Sequence, residues 1–185
     1  MRRSTVRVFC GLLLIALTNL AQGASVGQPL PALNISQIGE VLLQGDSVSY
    51  KPWDSQESVS KPHILQYLPG TLSASSMYSP FTDALLAQYE PLRFHFTTII
   101  DLEAALWGTG IFVTSEVEKS KREFPLSTMV LDKLGSGIDA WSLGKSGAGL
   151  FIIDSEGVVQ FLTLGKMSAE EQQQASEIFA LLMQN

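Results

Sequence analysis

A short apolar run, His63-Ile-Leu-Gln-Tyr-Leu68, lies between Pro62 and the pair Pro69-Gly70. A run of this length with these flanks predicts a buried β-strand over residues 63–68. The strand is followed by the serine-rich stretch Thr71-Leu-Ser-Ala-Ser-Ser-Met-Tyr-Ser-Pro80. We therefore expect a junction between a strand and a helix here.

A helix is predicted after this junction, because apolar residues recur with a period of 3.6 over residues 77–89. Two positions of Pro80 are compatible with the pattern. Pro80 lies either in the first turn of the helix, with Ser79 as its cap, or at a kink in a longer helix that starts near Ser73. The helix is expected to end before Pro91.

The later part of the chain alternates strands and helices. Strands are predicted over residues 93–100 and 127–131 and a hairpin over residues 149–163, and capping boxes at Ser115-x-x-Glu118 and Ser168-x-x-Glu171 predict two helix starts. Helical crossovers require parallel strands, and the hairpin adds antiparallel ones. We predict an α/β domain with a mixed central sheet flanked by helices, in which residues 62–185 form the core. Residues 24–61, rich in proline and glycine, form an extended N-terminal arm with room for one hairpin.

The first 23 residues have the pattern of a secretory signal peptide. Residues 1–7 contain three arginines and no acid, an apolar run of about ten residues follows, and small residues precede a cleavage site after Gly23. The apolar run is too short to span a bilayer. The pattern predicts export, with no stable membrane insertion of the mature chain.

The composition excludes several classes of function. The 185 residues include 12 basic and 18 acidic ones, and beyond residue 7 Lys and Arg form no continuous run longer than two residues, which argues against a nucleic-acid partner. The single cysteine, Cys10, lies in the predicted signal peptide. Residues 24–185 are therefore cysteine-free, and without the three N-terminal arginines the net charge changes from −6 to −9. No residue pattern indicates a metal or another cofactor.

Residues 26–33, 63–80 and 124–159 resemble the thioredoxin-like superfamily. In this resemblance Pro80 corresponds to the proline that kinks a thioredoxin helix, and Leu72-Ser-Ala-Ser75 stands where the two redox cysteines and their spacer lie. An alignment with peroxiredoxins is also possible and places Ser76 at the reactive cysteine. The usual cis-proline corresponds to Ala148 or Gly149. The resemblance implies a thioredoxin-like fold, and thiol catalysis is excluded because no thiolate can form at these positions.

A narrower resemblance is to the YtfJ family of small periplasmic proteins of Gram-negative bacteria. The segments that carry it span nearly the whole mature chain: Ser49-Tyr-Lys-Pro-Trp53, Leu65-Gln66, Thr97-Thr-Ile-Ile100, Gly108-Thr-Gly-Ile-Phe-Val113 with Ser115 and Glu118, and Asp139-Ala-Trp141. The resemblance implies a periplasmic thioredoxin-fold protein whose activity is not established in that family.

Two groups of residues are candidates for ligand binding. The first is the junction beside the helix N-terminus, where backbone N–H groups can hold an anion or a carbonyl, together with the turn that faces it in thioredoxins: Thr71, Leu72, Ser73, Ala74, Ser75, Ser76 and Ala148. The alternative is that the serines only cap the helix. The second group is Asp101 and Glu103, at the end of the strand 93–100, where carboxylates can bind a cation or polar ligand. The alternative is acids on a solvated loop.

The histidines and tryptophans have both structural and functional interpretations. His63 and His95 are structural residues or candidate general bases, and two histidines alone do not make a metal site. Trp53, Trp107 and Trp141 are expected to pack in the core, although Trp107 could instead line a groove.

The prediction for function follows from a thioredoxin-like fold that lacks the redox cysteines. We expect a periplasmic, non-redox binding or interaction module for a peptide or small ligand, with its groove near residues 70–76 and 145–149. The alternative is an enzyme with non-thiol catalysis, for example a hydrolase that uses Asp101 or His95.

Overall fold

The computed structural model describes residues 23–45, 47–58, 60–106 and 108–184. Residues 1–22 of the predicted signal peptide, and Trp107, lie outside this set. In the described part of the chain the strands are β1 (Asn34–Gln44), β2 (Ser47–Asp54), β3 (His63–Pro69), β4 (His95–Asp101), β5 (Thr128–Asp132), β6 (Gly149–Ile153) and β7 (Val159–Leu164). The α-helices are α1 (Ser79–Gln88), α2 (Gly110–Glu123), α3 (Ser136–Trp141) and α4 (Ala169–Leu182).

The strands form one mixed sheet in the order β2-β1-β5-β4-β3-β6-β7. The central strands β3, β4 and β5 are parallel, and the crossovers between them contain α1 and α2. The hairpin of β6 and β7 pairs antiparallel with β3. The predicted mixed sheet flanked by helices is therefore confirmed, with parallel strands at its centre.

Helices cover both faces of this sheet. On one face α3 packs through Trp141 against Tyr67 and Phe151. On the other face α1 and α4 pack through Phe81 and Phe179. Trp53 and Trp141 are buried in the first of these clusters, so the packing prediction for both is confirmed. No helix among the described residues is long and apolar enough to cross a bilayer.

The observed starts of the two crossover helices decide between the predicted ones. Helix α1 starts at Ser79, so Pro80 lies in the first turn and not at a kink, and Tyr78 occupies the cap position. Helix α2 starts at Gly110, so the predicted start at the capping box Ser115-x-x-Glu118 is wrong. The Glu118 carboxylate instead accepts a hydrogen bond from the Tyr50 hydroxyl of β2.

The N-terminal arm contributes more structure than the sequence predicts. Its hairpin, β1 and β2, extends the sheet because β1 pairs antiparallel with β5. Ile38 and Gly39 have φ angles of 69° and 81° at an irregularity in the β1–β2 register. An alanine Cβ at position 39 would lie 2.2 Å from the Lys51 carbonyl oxygen, so this bulge requires glycine.

Candidate functional site

A groove lies between α1 and α2, on the face of the sheet opposite α3. Its volume is about 840 Å³. Side chains of β3, β4 and β5 form its floor, chiefly Leu68, Phe96, Ile100 and Met129. The groove exists because α1 and α2 stand apart over neighbouring strands and do not pack against each other along their lengths.

The walls are one stripe from each helix. Helix α1 contributes residues three and four apart, Ser79, Thr82, Asp83 and Leu86. Helix α2 contributes a longer stripe with the same spacing, including Phe112, Val113, Glu116, Val117 and Ser120. Residues at this spacing lie on one face of a helix, so the α2 stripe turns apolar side chains toward an open space.

Two polar side chains on the floor form a hydrogen bond with each other. The Gln66 side-chain amide donates a hydrogen bond to the Thr98 hydroxyl over 2.7 Å, between residues that are register partners in β3 and β4. Such an internal pair leaves these groups with a reduced need for a hydrogen-bonding ligand. The floor is therefore suited to contact with apolar groups.

Large apolar side chains also stand exposed around the groove. Leu72 is 93% exposed and Phe112 is 72% exposed, and Leu106 and Phe124 are exposed in the same lining. A second cavity of about 230 Å³ continues the groove toward Pro91 and Leu126, and it shares Leu86, Phe96, Phe124 and Ser127 with the first. An apolar surface of this extent on one side of a small protein is typical of a binding surface.

The predicted junction residues divide between the groove and its surroundings. Thr71, Leu72, Ser73 and Ser75 line the groove, whereas Ala74 is buried beneath the turn and Ser76 does not line it. The interpretation that these serines cap the helix is wrong, because α1 has no side-chain cap.

The hydroxyl groups of this turn bond within the turn itself. The Ser75 hydroxyl donates to the Leu72 carbonyl over 2.9 Å, and the hydroxyls of Thr71 and Ser73 lie 3.2 Å apart. The turn is thus stabilised locally, and it leaves Leu72 projecting into solvent at one end of the groove.

Ala148 does not join the junction in this groove. It is fully buried, its peptide bonds are trans, and its carbonyl oxygen accepts a hydrogen bond from the Gly165 N–H over 3.0 Å. The neighbouring Gly147 lies against Pro69 and Ile138, and Ile138 belongs to the cluster on the α3 side of the sheet. The sequence predicts that residues 145–149 form the second side of the groove. In the structure this side is formed by α2 instead.

Asp101 and Glu103 also lie outside the groove. Asp101 is 1% exposed, and its Oδ1 accepts hydrogen bonds from the N–H groups of Glu103 at 2.9 Å and Ala104 at 3.4 Å. Burial raises the pKa of Asp101, and the neighbouring Asp132 acts in the same direction. Among the described residues, no three Asp, Glu, His or Cys side chains are grouped so that they could hold a metal ion.

Asp132 organises a buried network on the α3 side of the sheet. Its Oδ2 accepts hydrogen bonds from the Tyr67 hydroxyl over 2.9 Å and from the Gly137 N–H over 3.0 Å. Its Oδ1 accepts one from the Leu134 N–H over 3.2 Å. This network fixes α3 to the carboxyl ends of the parallel strands, so its role is structural.

The two histidines lie together at the amino ends of β3 and β4. Their rings are 5.8 Å apart, edge to face, and the His63 Nε2 is 2.8 Å from the Thr97 hydroxyl. Burial lowers the pKa of His63 to about 3, and the charge of His95 acts in the same direction. The pKa of His95 is also lowered, by burial and then by Lys61. This end of the strands is remote from the junction, because β3 spans roughly 20 Å at about 3.3 Å per residue.

A family comparison agrees with the resemblance noted in the sequence. Residues 24–184 match the family model described as "Bacterial protein of unknown function (YtfJ_HI0045)". The chain belongs to this family. Among its relatives, an uncharacterized protein YtfJ of Escherichia coli K12 is 31% identical over 92% of this chain and 94% of its own. An uncharacterized protein of Haemophilus influenzae is 31% identical over 91% of both chains.

Solved structures similar to this YtfJ-family chain are thioredoxin-like proteins. A putative protein disulfide isomerase from Bacteroides thetaiotaomicron has a TM-score of 0.59 at 14% identity, over 88% of this chain and 92% of its own. A putative thiol:disulfide interchange protein DsbE from Chlorobium tepidum has a TM-score of 0.57 at 15% identity, over 86% and 99%. At these identities the likeness establishes the fold alone, and it confirms the thioredoxin-like prediction.

The α2 stripe is the part of the site that sequence reasoning missed. Val113, Val117 and Phe124 recur at helical spacing. The capping box predicts a helix that begins only at Ser115, so the prediction leaves Val113 outside the helix. Extending the helix to Gly110 would have added Phe112 and Val113 to one face. The signal was therefore present in the sequence, although it gives no indication of whether that face is buried or open.

Proposed function

We propose that this chain is an exported, non-redox binding protein that holds an apolar ligand or peptide in the groove between α1 and α2. The observation that supports it is the groove itself, whose floor and α2 wall present apolar side chains to an open space of about 840 Å³. Removing one large apolar side chain from water contributes about 1.5–3 kcal/mol. Several such side chains remain uncovered in the free protein, so a ligand that covers them gains this free energy.

The non-redox part of the proposal rests on the position of the missing thiols. Residues 23–185 contain no cysteine. The turn that carries Leu72 and Ser75 lies directly before α1, where thioredoxins carry their redox cysteines. Export is supported by the N-terminal pattern of arginines, apolar run and small residues. We infer that the fold has kept a binding surface near its former reactive turn and extended it along α2.

An apolar dye tests this proposal directly. We expect the neutral dye Nile red to bind the mature protein, residues 24–185, with an increase in fluorescence. Phe112→Ser is expected to weaken binding by about tenfold, because it removes a large apolar contact worth about 1.4 kcal/mol or more. Phe112 is already exposed, so its replacement should change stability little.

The matched control is Leu134→Ser. Leu134 is also an exposed large apolar side chain, but it lies in the turn after β5 and does not line the groove. Its replacement should leave dye binding unchanged. The proposal would be wrong if both variants bound Nile red as the unmodified protein does.

The enzymatic alternative receives no support from the geometry. Asp101 and His95 stand at opposite ends of β4, six residues apart, which corresponds to roughly 20 Å in an extended strand. Asp101 is buried under backbone hydrogen bonds, and His95 packs against His63. Neither side chain lines the groove. A hydrolase that uses one of them stays a prediction from the sequence alone.

A further inference from the structure

The charges that line the groove all have one sign. Asp83 on the α1 wall and Glu116 on the α2 wall line the main groove, and Glu123 lines its continuation. All three carboxylates are exposed. Among the described residues that line either cavity, none is lysine, arginine or histidine.

Because the charged side chains that line the groove are all acidic, they favour a ligand of positive charge. Carboxylates on walls of low dielectric attract cations and repel anions, and the lining residues that the structure describes offer no counter-charge. The chain as a whole has a net charge of −6, which acts in the same direction at long range. An apolar ligand with an anionic end, such as a fatty acid, is therefore disfavoured in this groove.

The size of the exposed surface indicates a polypeptide. Helix α2 has 14 residues and is thus about 21 Å long at about 1.5 Å per residue. An extended peptide of about six residues spans that distance. A small molecule within the cavity would leave Leu72 in water, since this side chain is 93% exposed and projects from the rim at one end of the groove. A peptide can cover both the floor and the rim.

We propose that the occupant of the groove is a polypeptide segment that combines apolar side chains with lysine or arginine. Its apolar side chains lie on Leu68, Ile100 and Val117, and its basic side chains lie between the Asp83 and Glu116 walls. This inference rests on the proposed function of the groove and adds the chemical class of its partner.

Matched peptides test the charge of the partner. Three fluorescein-labelled peptides of eight residues are used, in which leucine alternates with lysine, glutamine or glutamate, and binding to residues 24–185 is followed by fluorescence anisotropy at 20 mM salt. We expect the lysine peptide to bind at least tenfold more tightly than the glutamine peptide, and the glutamate peptide to bind most weakly. The preference should shrink at 0.5 M salt, where charges are screened.

A double variant assigns the preference to the groove. Asp83→Asn with Glu116→Gln should remove most of the difference between the lysine and glutamine peptides. The control pair is Asp139→Asn with Glu170→Gln, which changes the net charge equally at exposed carboxylates of α3 and α4 outside the groove. The control should keep the preference.

Each contrary outcome overturns a definite statement. If all three peptides bind equally and depend on Phe112, the groove binds apolar peptides but the inferred charge is wrong. If Nile red binds and no peptide does, or if palmitate displaces the lysine peptide, the occupant is a small apolar ligand and the inference is wrong. If neither dye nor peptide binds, the proposed function fails as well.

Discussion

Replacing Gly137 by alanine is expected to lower the free energy of unfolding by about 3 kcal/mol, because it forces a methyl group into a packed core. An ideal Cβ at this position would lie 2.3 Å from Cε2 and 2.8 Å from Cδ2 of the Tyr67 ring. The ring cannot move away easily. It is fully buried, packs edge to face on Trp141, and its hydroxyl is bound to Asp132.

Gly110→Ala is the control for this substitution. Gly110 is the first residue of α2, and no atom lies within 4 Å of the Cβ that alanine would add. Its replacement should change stability by no more than about 0.5 kcal/mol. Urea unfolding followed by circular dichroism measures both effects. Equal midpoints for the two variants would show that α3 does not pack on Tyr67 as described.

The stability of the protein is expected to fall by about 2 kcal/mol between pH 7 and pH 5 through His63 alone. Burial lowers the pKa of His63 to about 3, whereas an unfolded histidine titrates near 6.5. Below pH 6.5 the unfolded state therefore binds a proton that the folded state does not. The stabilising contribution is present above pH 6.5 and is lost progressively as the pH falls toward 3.

His63→Asn separates this effect from the other titrating groups. The variant should be less stable at pH 7, because the contact with Thr97 and the packing on His95 are changed. Its loss of stability between pH 7 and pH 5 should be smaller than that of the unmodified protein by about 2 kcal/mol. Urea midpoints at both pH values provide the test. An unchanged pH dependence would mean that His63 is not held neutral in the core.

Much of the fold follows from local sequence patterns. Strand β3 is a short apolar run with proline at its flanks, and its observed span, His63–Pro69, is close to the predicted one. The capping box at Ser168 forms as predicted, since the Ser168 hydroxyl accepts from the Glu171 N–H and the Glu171 carboxylate accepts from the Ser168 N–H. These features depend on neighbours a few residues away, which the sequence displays directly.

The groove depends instead on how two helices are placed. The same box pattern, Ser115-x-x-Glu118, occurs inside α2, where Glu118 bonds to Tyr50, a residue 68 positions earlier. That long-range contact is not visible in a local pattern. Likewise, Phe112 and Val117 have the apolar character of ordinary core residues. They face a groove only because α1 and α2 are separated, which the sequence does not show.

Methyl NMR spectroscopy of residues 24–185 during a titration with 1-octanol, a neutral apolar probe, tests the binding groove most directly. The largest shifts are predicted at methyl groups of the floor and the α2 wall, namely Leu68, Ile100, Val113 and Val117. Methyl groups of Ala148 and Leu134, which lie outside the groove, should not shift. Shifts that cluster around Ala148, with the α2 wall unchanged, would contradict the assignment of the binding site to the groove between α1 and α2.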